Sequence, residues 1–113
     1  MLHFKTLTEF DFHHVLAQSD GASIVVFSGP DCTTCRQVEK LLPPALQGLV
    51  AALYKVDVQQ STGLAREFEI FHLPSLFLFV DGRFHAPLHS EVTPAKMQQA
   101  IEAALAKPAQ DEP

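Results

Sequence analysis

The sequence predicts an α/β domain built on a central mixed sheet flanked by helices, with elements in the order β-α-β-α-β-α-β-β-α. Three observations carry this reading. The runs Ala22 to Phe27 (ASIVVF) and Val50 to Val58 (VAALYKVDV) are apolar on nearly consecutive positions and rich in β-branched residues, as in strands covered by helices on both faces. Between them lies a helix containing the only two cysteines, which makes a βαβ unit. Farther on, Asp81-Gly82 separates two strand-like runs and is the two-residue signal of an antiparallel hairpin, so the sheet is mixed.

Each element has its own signal. Leu2 to Lys5 forms a short first strand. Thr8, with Asp11 three residues on, marks a helix start, and Phe12, Val15 and Leu16 give an apolar face before Ser19, Asp20 and Gly21 stop it. ASIVVF is the central strand, followed by the cysteine-bearing helix and then VAALYKVDV. Ser61 to Glu69 is a short helix with Leu64 and Phe68 on one side. Ser75 to Val80 and Arg83 to Leu88 are the hairpin arms; Pro87 cannot donate to an inner ladder, which puts the second arm at a sheet edge. Thr93 caps a last helix with Pro94 at its first position, and Met97, Ile101, Ala104 and Leu105 recur at helical spacing up to Lys107-Pro108. The domain is expected over residues 1–107, with 108–113 a disordered tail.

Composition narrows the function classes. A chain of 113 residues that is 47% hydrophobic makes one domain with a real core. The opening MLHFKTLTEFDFHH lacks the unbroken apolar stretch of a secretory signal, and no later run reaches membrane-spanning length, so a cytoplasmic location without membrane partners is expected. The net charge of -5 arises from 13 acidic against 8 basic residues with no basic cluster, which argues against nucleic-acid partners.

Cys32 and Cys35, in FSGPDCTTCRQVE, could bind a metal, form a permanent staple, or shuttle between dithiol and disulfide. A staple is disfavoured, because so short a loop constrains the unfolded chain little and a reducing cytosol tends to open it. At a helix N-terminus, free backbone N–H groups and the dipole favour the thiolate, which makes Cys32 the nucleophile. Cys35, one turn farther along the same helical face, would then attack a mixed disulfide formed at Cys32 and act as the resolving thiol.

From ASIVVF through CTTC and LYKVDV to HLPSLFLFVDGRF, nearly the whole chain resembles the thioredoxin family. That resemblance implies a thioredoxin-like fold, a thiol-disulfide oxidoreductase and a cis-proline facing the CxxC motif, here in Leu73-Pro74-Ser75, whose backbone pairs with a substrate strand. It implies disulfide-containing protein or small-molecule substrates, an unidentified electron donor, no cofactor and a monomer. Several positions depart from the family. The strand aspartate is replaced by Val26 and the buried lysine aligns with Leu53, which removes a proton relay thought to deprotonate the resolving thiol. The approach to the first cysteine, Ser28-Gly29-Pro30-Asp31, lacks tryptophan and is closer to that of glutaredoxins. Lys40 stands where the family has a helical proline, so Pro43-Pro44 is expected to break or kink the helix near Leu42 instead. Ser90 takes the place of a glycine.

The dipeptide Thr33-Thr34 matches neither the Gly-Pro of strong reductants nor the His-containing pairs of oxidants and isomerases, and Asp31 opposes the thiolate that the helix terminus favours. In a reducing cytosol the dithiol predominates, so reduction is the expected direction. Two readings from other classes stay open. One is a Cys/His metal site, for which His72 beside Leu73-Pro74 is a third donor but no fourth is evident. The other is a non-catalytic assembly module of the same fold. His72 could instead act as acid or base at the substrate groove or simply be a surface residue. His13 and His14 read as a solvated helix face, His85 and His89 as an exposed strand edge, and the nine phenylalanines mostly as core.

Overall fold

The computed structural model describes residues 1–113. Along the chain run β1 (Phe4–Thr6), α1 (Phe12–Ala17), β2 (Ala22–Ser28), α2 (Thr33–Leu46), β3 (Ala52–Asp57), α3 (Thr62–Glu67), β4 (Ser75–Val80), β5 (Arg83–Leu88) and α4 (Pro94–Leu105). The sheet order is β1-β3-β2-β4-β5. Strands β1 and β2 flank β3 in parallel, while β2 with β4 and β4 with β5 pair antiparallel, so the sheet is mixed as expected. Both edges are blunted: β1 has 3 residues, and β5 carries Pro87.

β2 is buried along almost its whole length because helices cover both faces of the sheet. Its side chains alternate between two cores. Val25 and Phe27 join Phe12 and Leu16 of α1, Leu64 of α3, Phe68, and the hairpin residues Phe77, Phe79 and Phe84. Ile24 and Val26 join Val38, Leu42 and Leu46 of α2 and Met97 and Ile101 of α4. Most phenylalanines thus do core work, but Phe10 and Phe71 are 96% and 88% exposed.

Three local expectations need correction. Asp11 does accept a hydrogen bond from the Thr8 N–H (2.7 Å), yet residues 9–11 form a turn and the helix starts at Phe12. The Thr8 signal marks the turn that feeds the helix rather than its first residue. Second, α2 does not break near Leu42 but runs on to Leu46 with Pro43 and Pro44 inside it. These prolines deprive only the carbonyls of Glu39 and Lys40 of intrahelical partners, and the fully buried Leu42 and Leu46 hold the final turn on the sheet. Third, His85 is not a free strand edge: its Nε2 lies 2.8 Å from the Ala104 carbonyl oxygen and 3.0 Å from that of Lys107, at the end of α4. Beyond α4 the Gln110 N–H donates to the His85 carbonyl (2.7 Å).

Candidate active site

β2 delivers the chain to the site and stops at Ser28; Gly29, Pro30 and Asp31 turn it into α2. Cys32 is the N-cap of α2 in an extended conformation (φ -123°, ψ 101°), so its side chain faces the unpaired N–H groups of the first turn. The Cys35 N–H donates to Cys32 Sγ at 3.1 Å. The two cysteines are joined as a disulfide with Cα atoms 5.2 Å apart. Their environments differ: Cys32 is half-buried, whereas Cys35 is fully enclosed under the helix. Asp31, Thr33 and Thr34 are exposed around Cys32.

The Leu73-Pro74 peptide bond is cis. It belongs to the segment entering β4, and packing draws that segment to the cysteine loop: a methyl group added at Gly29 would lie 3.0 Å from Leu73 Cδ1. Gly29 therefore marks a close approach of two loops. Ser75 Oγ fixes the turn by donating to the His72 carbonyl oxygen (2.7 Å). Two adjoining clefts meet at Pro74. One, of about 360 Å³, is bounded by Thr34, Val38, Leu73, Pro74, Val92 and Met97. The other, of about 260 Å³, is bounded by Phe71, His72, Pro74, Leu76, Leu88 and His89. His72 is exposed at the rim. His13 is exposed 3.2 Å from Glu67, while His14 and His89 are solvated. No three His, Cys, Asp or Glu side chains come together where a metal ion could be held.

The sheet register corrects one comparison. Leu53 pairs with Ile24, and the residue opposite Val26 is Lys55. Strand pairing, rather than spacing from the cysteines, decides which side chain lies beside Val26. Lys55 leads to a charged group that the motifs do not reveal. Its Nζ is 3.6 Å from Glu39 Oε1, and Arg36 Nη2 is 2.9 Å from Glu39 Oε2. That same guanidinium nitrogen donates to the Gly29 carbonyl at 2.9 Å, tying α2 to the loop before Cys32. Helical spacing held the signal, since Glu39 lies four residues after Cys35.

Both the sequence and the fold have known relatives. A family model described as Thioredoxin matches residues 3–107. Thioredoxin-1 of Saccharomyces cerevisiae is 33% identical over 101 residues, covering 88% of this chain and 94% of its own length. Protein disulfide isomerase-like 1-3 of Arabidopsis thaliana is 34% identical over 90 residues, 77% of this chain but 15% of its own length. The chain thus spans a small part of the plant protein and nearly all of the yeast one. Among solved structures, the zinc-bound form of human ERp44 is similar in fold with a TM-score of 0.75 at 16% identity, covering 89% of this chain and 31% of that one.

Proposed function

This chain belongs to the thioredoxin family, and from that premise we propose that it reduces protein or small-molecule disulfides, with Cys32 as nucleophile and Cys35 as resolving thiol. It is a thiol-disulfide oxidoreductase, and its chemistry rests on the Cys32 and Cys35 pair. The observation that carries the assignment of roles is the asymmetry of the two sulfurs: Cys32 Sγ is reachable and accepts a backbone N–H at the helix terminus, while Cys35 is enclosed. Donors aimed at a sulfur stabilise its thiolate, and the thiolate is the attacking species.

In the proposed reaction the Cys32 thiolate attacks one sulfur of a substrate disulfide and expels the other as a thiolate. Cys35 then attacks Cys32 Sγ, releases the second substrate sulfur and leaves the Cys32 to Cys35 disulfide. A donor of two electrons restores the dithiol. The backbone at Leu73 and Pro74, beside the loop that carries Cys32, offers an edge for an extended substrate, and the flanking clefts accept its side chains. Asp31, Thr33 and Thr34, which neighbour Cys32 in the chain, and His72, at the rim of the clefts beside Pro74, tune the exchange. Reduction requires a compartment that keeps the dithiol populated, such as the cytoplasm, and the blunted sheet edges support a monomer. With dithiothreitol as donor, the protein should accelerate insulin precipitation and the Cys32→Ala/Cys35→Ala variant should not. Equal rates would remove the proposal.

A further inference from the structure

We propose that Glu39 accepts the proton of the Cys35 thiol during the resolving step, with Arg36 and Lys55 holding its carboxylate in place. The proposal rests on Cys35 being the resolving thiol. Because Cys35 is fully enclosed, its thiol cannot hand a proton directly to bulk water, yet it must lose that proton to attack. A nearby group has to take it.

Glu39 fits on three counts. It lies four residues after Cys35 on α2, and such residues share a helical face with Cβ atoms about 5–6 Å apart. Its side chain is 16% exposed, unusually enclosed for a glutamate on a surface helix. Finally, Oε2 is buried and lacks a hydrogen-bond partner. Arg36 Nη2 is 2.9 Å from that oxygen but is not aligned as a donor to it, so the contact is one of charge and a lone pair stays free.

The surrounding charges tie this carboxylate to the cysteine loop and to the sheet. Arg36 Nη2 touches both Glu39 and the Gly29 carbonyl, which links the carboxylate to the loop that leads to Cys32. Lys55 approaches Oε1 from β3, at the register position opposite Val26. Asp57 lies two residues farther along that strand, but its Oδ1 accepts from the Gln59 and Gln60 N–H groups. Of the two carboxylates, Glu39 is the one whose unpartnered oxygen is buried.

The step balances. The Cys35 thiol proton passes to Glu39 as Cys35 Sγ forms a bond to Cys32 Sγ and the bond from Cys32 Sγ to substrate sulfur breaks. The substrate leaves as a thiolate and takes up the proton, directly or through water at the carboxylate's exposed rim. The substrate sulfurs gain the two electrons that the dithiol loses.

The test uses stopped-flow mixing of the reduced protein with dithiobis-nitrobenzoate, whose released thiolate is coloured. The first equivalent reports attack by Cys32 and the second reports resolution by Cys35. Glu39→Gln should leave the first phase within about twofold and slow the second by about a hundredfold at neutral pH, in the range of general-base contributions. The second phase of the variant should then rise about tenfold per pH unit toward the ordinary thiol range near 8.5, while that of the native protein changes far less. Glu39→Asp should restore most of the rate. The native profile gives an answer even if a variant does not fold: a native second phase that itself falls about tenfold per pH unit below 8 overturns the role of Glu39. So does a Glu39→Gln second phase within about twofold of native, or equal slowing of both phases. Absence of any second phase in the native protein would instead overturn the assignment of Cys35 as resolving thiol.

Discussion

Replacing Gly82 by alanine should be among the most damaging single-methyl additions in the protein, while leaving the cysteines unaffected. Asp81 and Gly82 form the β4–β5 turn with φ of 51° and 80°, both left-handed, as a tight two-residue hairpin requires. The turn also docks onto the body of the domain: Asp81 Oδ1 accepts from the Gly21 N–H (2.7 Å), and the Asp81 N–H donates to the Gly21 carbonyl (2.9 Å). A Cβ on Gly82 would overlap the Leu16 carbonyl oxygen, a backbone atom that cannot rotate away. Gly48, just after α2, supplies the control, because it has φ +85° but nothing within 4 Å of an added Cβ. Gly48→Ala therefore carries only the left-handed penalty of about 1 kcal/mol. Gly82→Ala adds displacement of packed backbone, about 1–3 kcal/mol more, for a total on the order of 2–4 kcal/mol. At roughly 4 °C per kcal/mol for a chain of this size, the melting temperature should fall by about 4 °C for Gly48→Ala and by about 8–16 °C for Gly82→Ala. Thermal unfolding monitored by far-ultraviolet circular dichroism measures both. The turn lies at the Val80 end of β4, opposite the Ser75 end at the site, so Cys32 should react at its native rate below the transition. Equal melting temperatures for the two variants would refute the packing argument at Gly82.

Three further outcomes are expected from the same structure. In the folded, reduced protein, iodoacetamide should label Cys32 well before Cys35, since only the former is reachable; equal rates read by mass spectrometry would contradict this. Phe68→Ala should cost about 3–5 kcal/mol in denaturant unfolding, because the ring is 2% exposed and lies within 6.5 Å, centroid to centroid, of Phe12, Phe27, Phe77, Phe79 and Phe84; a loss below about 1 kcal/mol would mean that the aromatic core repacks. Thr93→Ala should cost about 1 kcal/mol by removing the side-chain acceptor of the Lys96 N–H (3.2 Å), and Thr93→Ser should not.

How much of the fold is legible in the sequence depends on how local each determinant is. The hairpin's turn and both its arms are legible because Asp81-Gly82 is a local signal. The shift of register between Leu78 and Phe79 is not, since the turn sets the pairing only of the residues next to it. The buried strands are legible from composition, though their ends shift by a residue or two, since pairing partners set where a ladder stops. Pro43-Pro44 misleads because the cost of proline in a helix depends on how well the remaining turn is anchored, and here Leu42 and Leu46 hold that turn in the core. The residue beside Val26 is not readable from spacing along one strand, because it depends on how β2 and β3 slide against each other. His85 reads as an edge residue until the approach of α4 to β5 reveals its contacts. Within the site, CxxC and Leu73-Pro74 announce themselves as motifs. Glu39 does not, because its surroundings come from a loop, a helix and a strand that only the fold assembles.

The most direct test of the division of labour between the cysteines is mixed-disulfide capture. Reduced Cys35→Ser, exposed to a disulfide-bonded protein such as insulin, should accumulate a covalent adduct through Cys32 that dithiothreitol releases, because attack proceeds while no second thiol remains to expel the substrate. Reduced Cys32→Ser, with its only thiol enclosed, should form little. Non-reducing gel electrophoresis and intact mass spectrometry read both variants. Adducts on Cys35→Ser no more abundant than on Cys32→Ser would contradict the account.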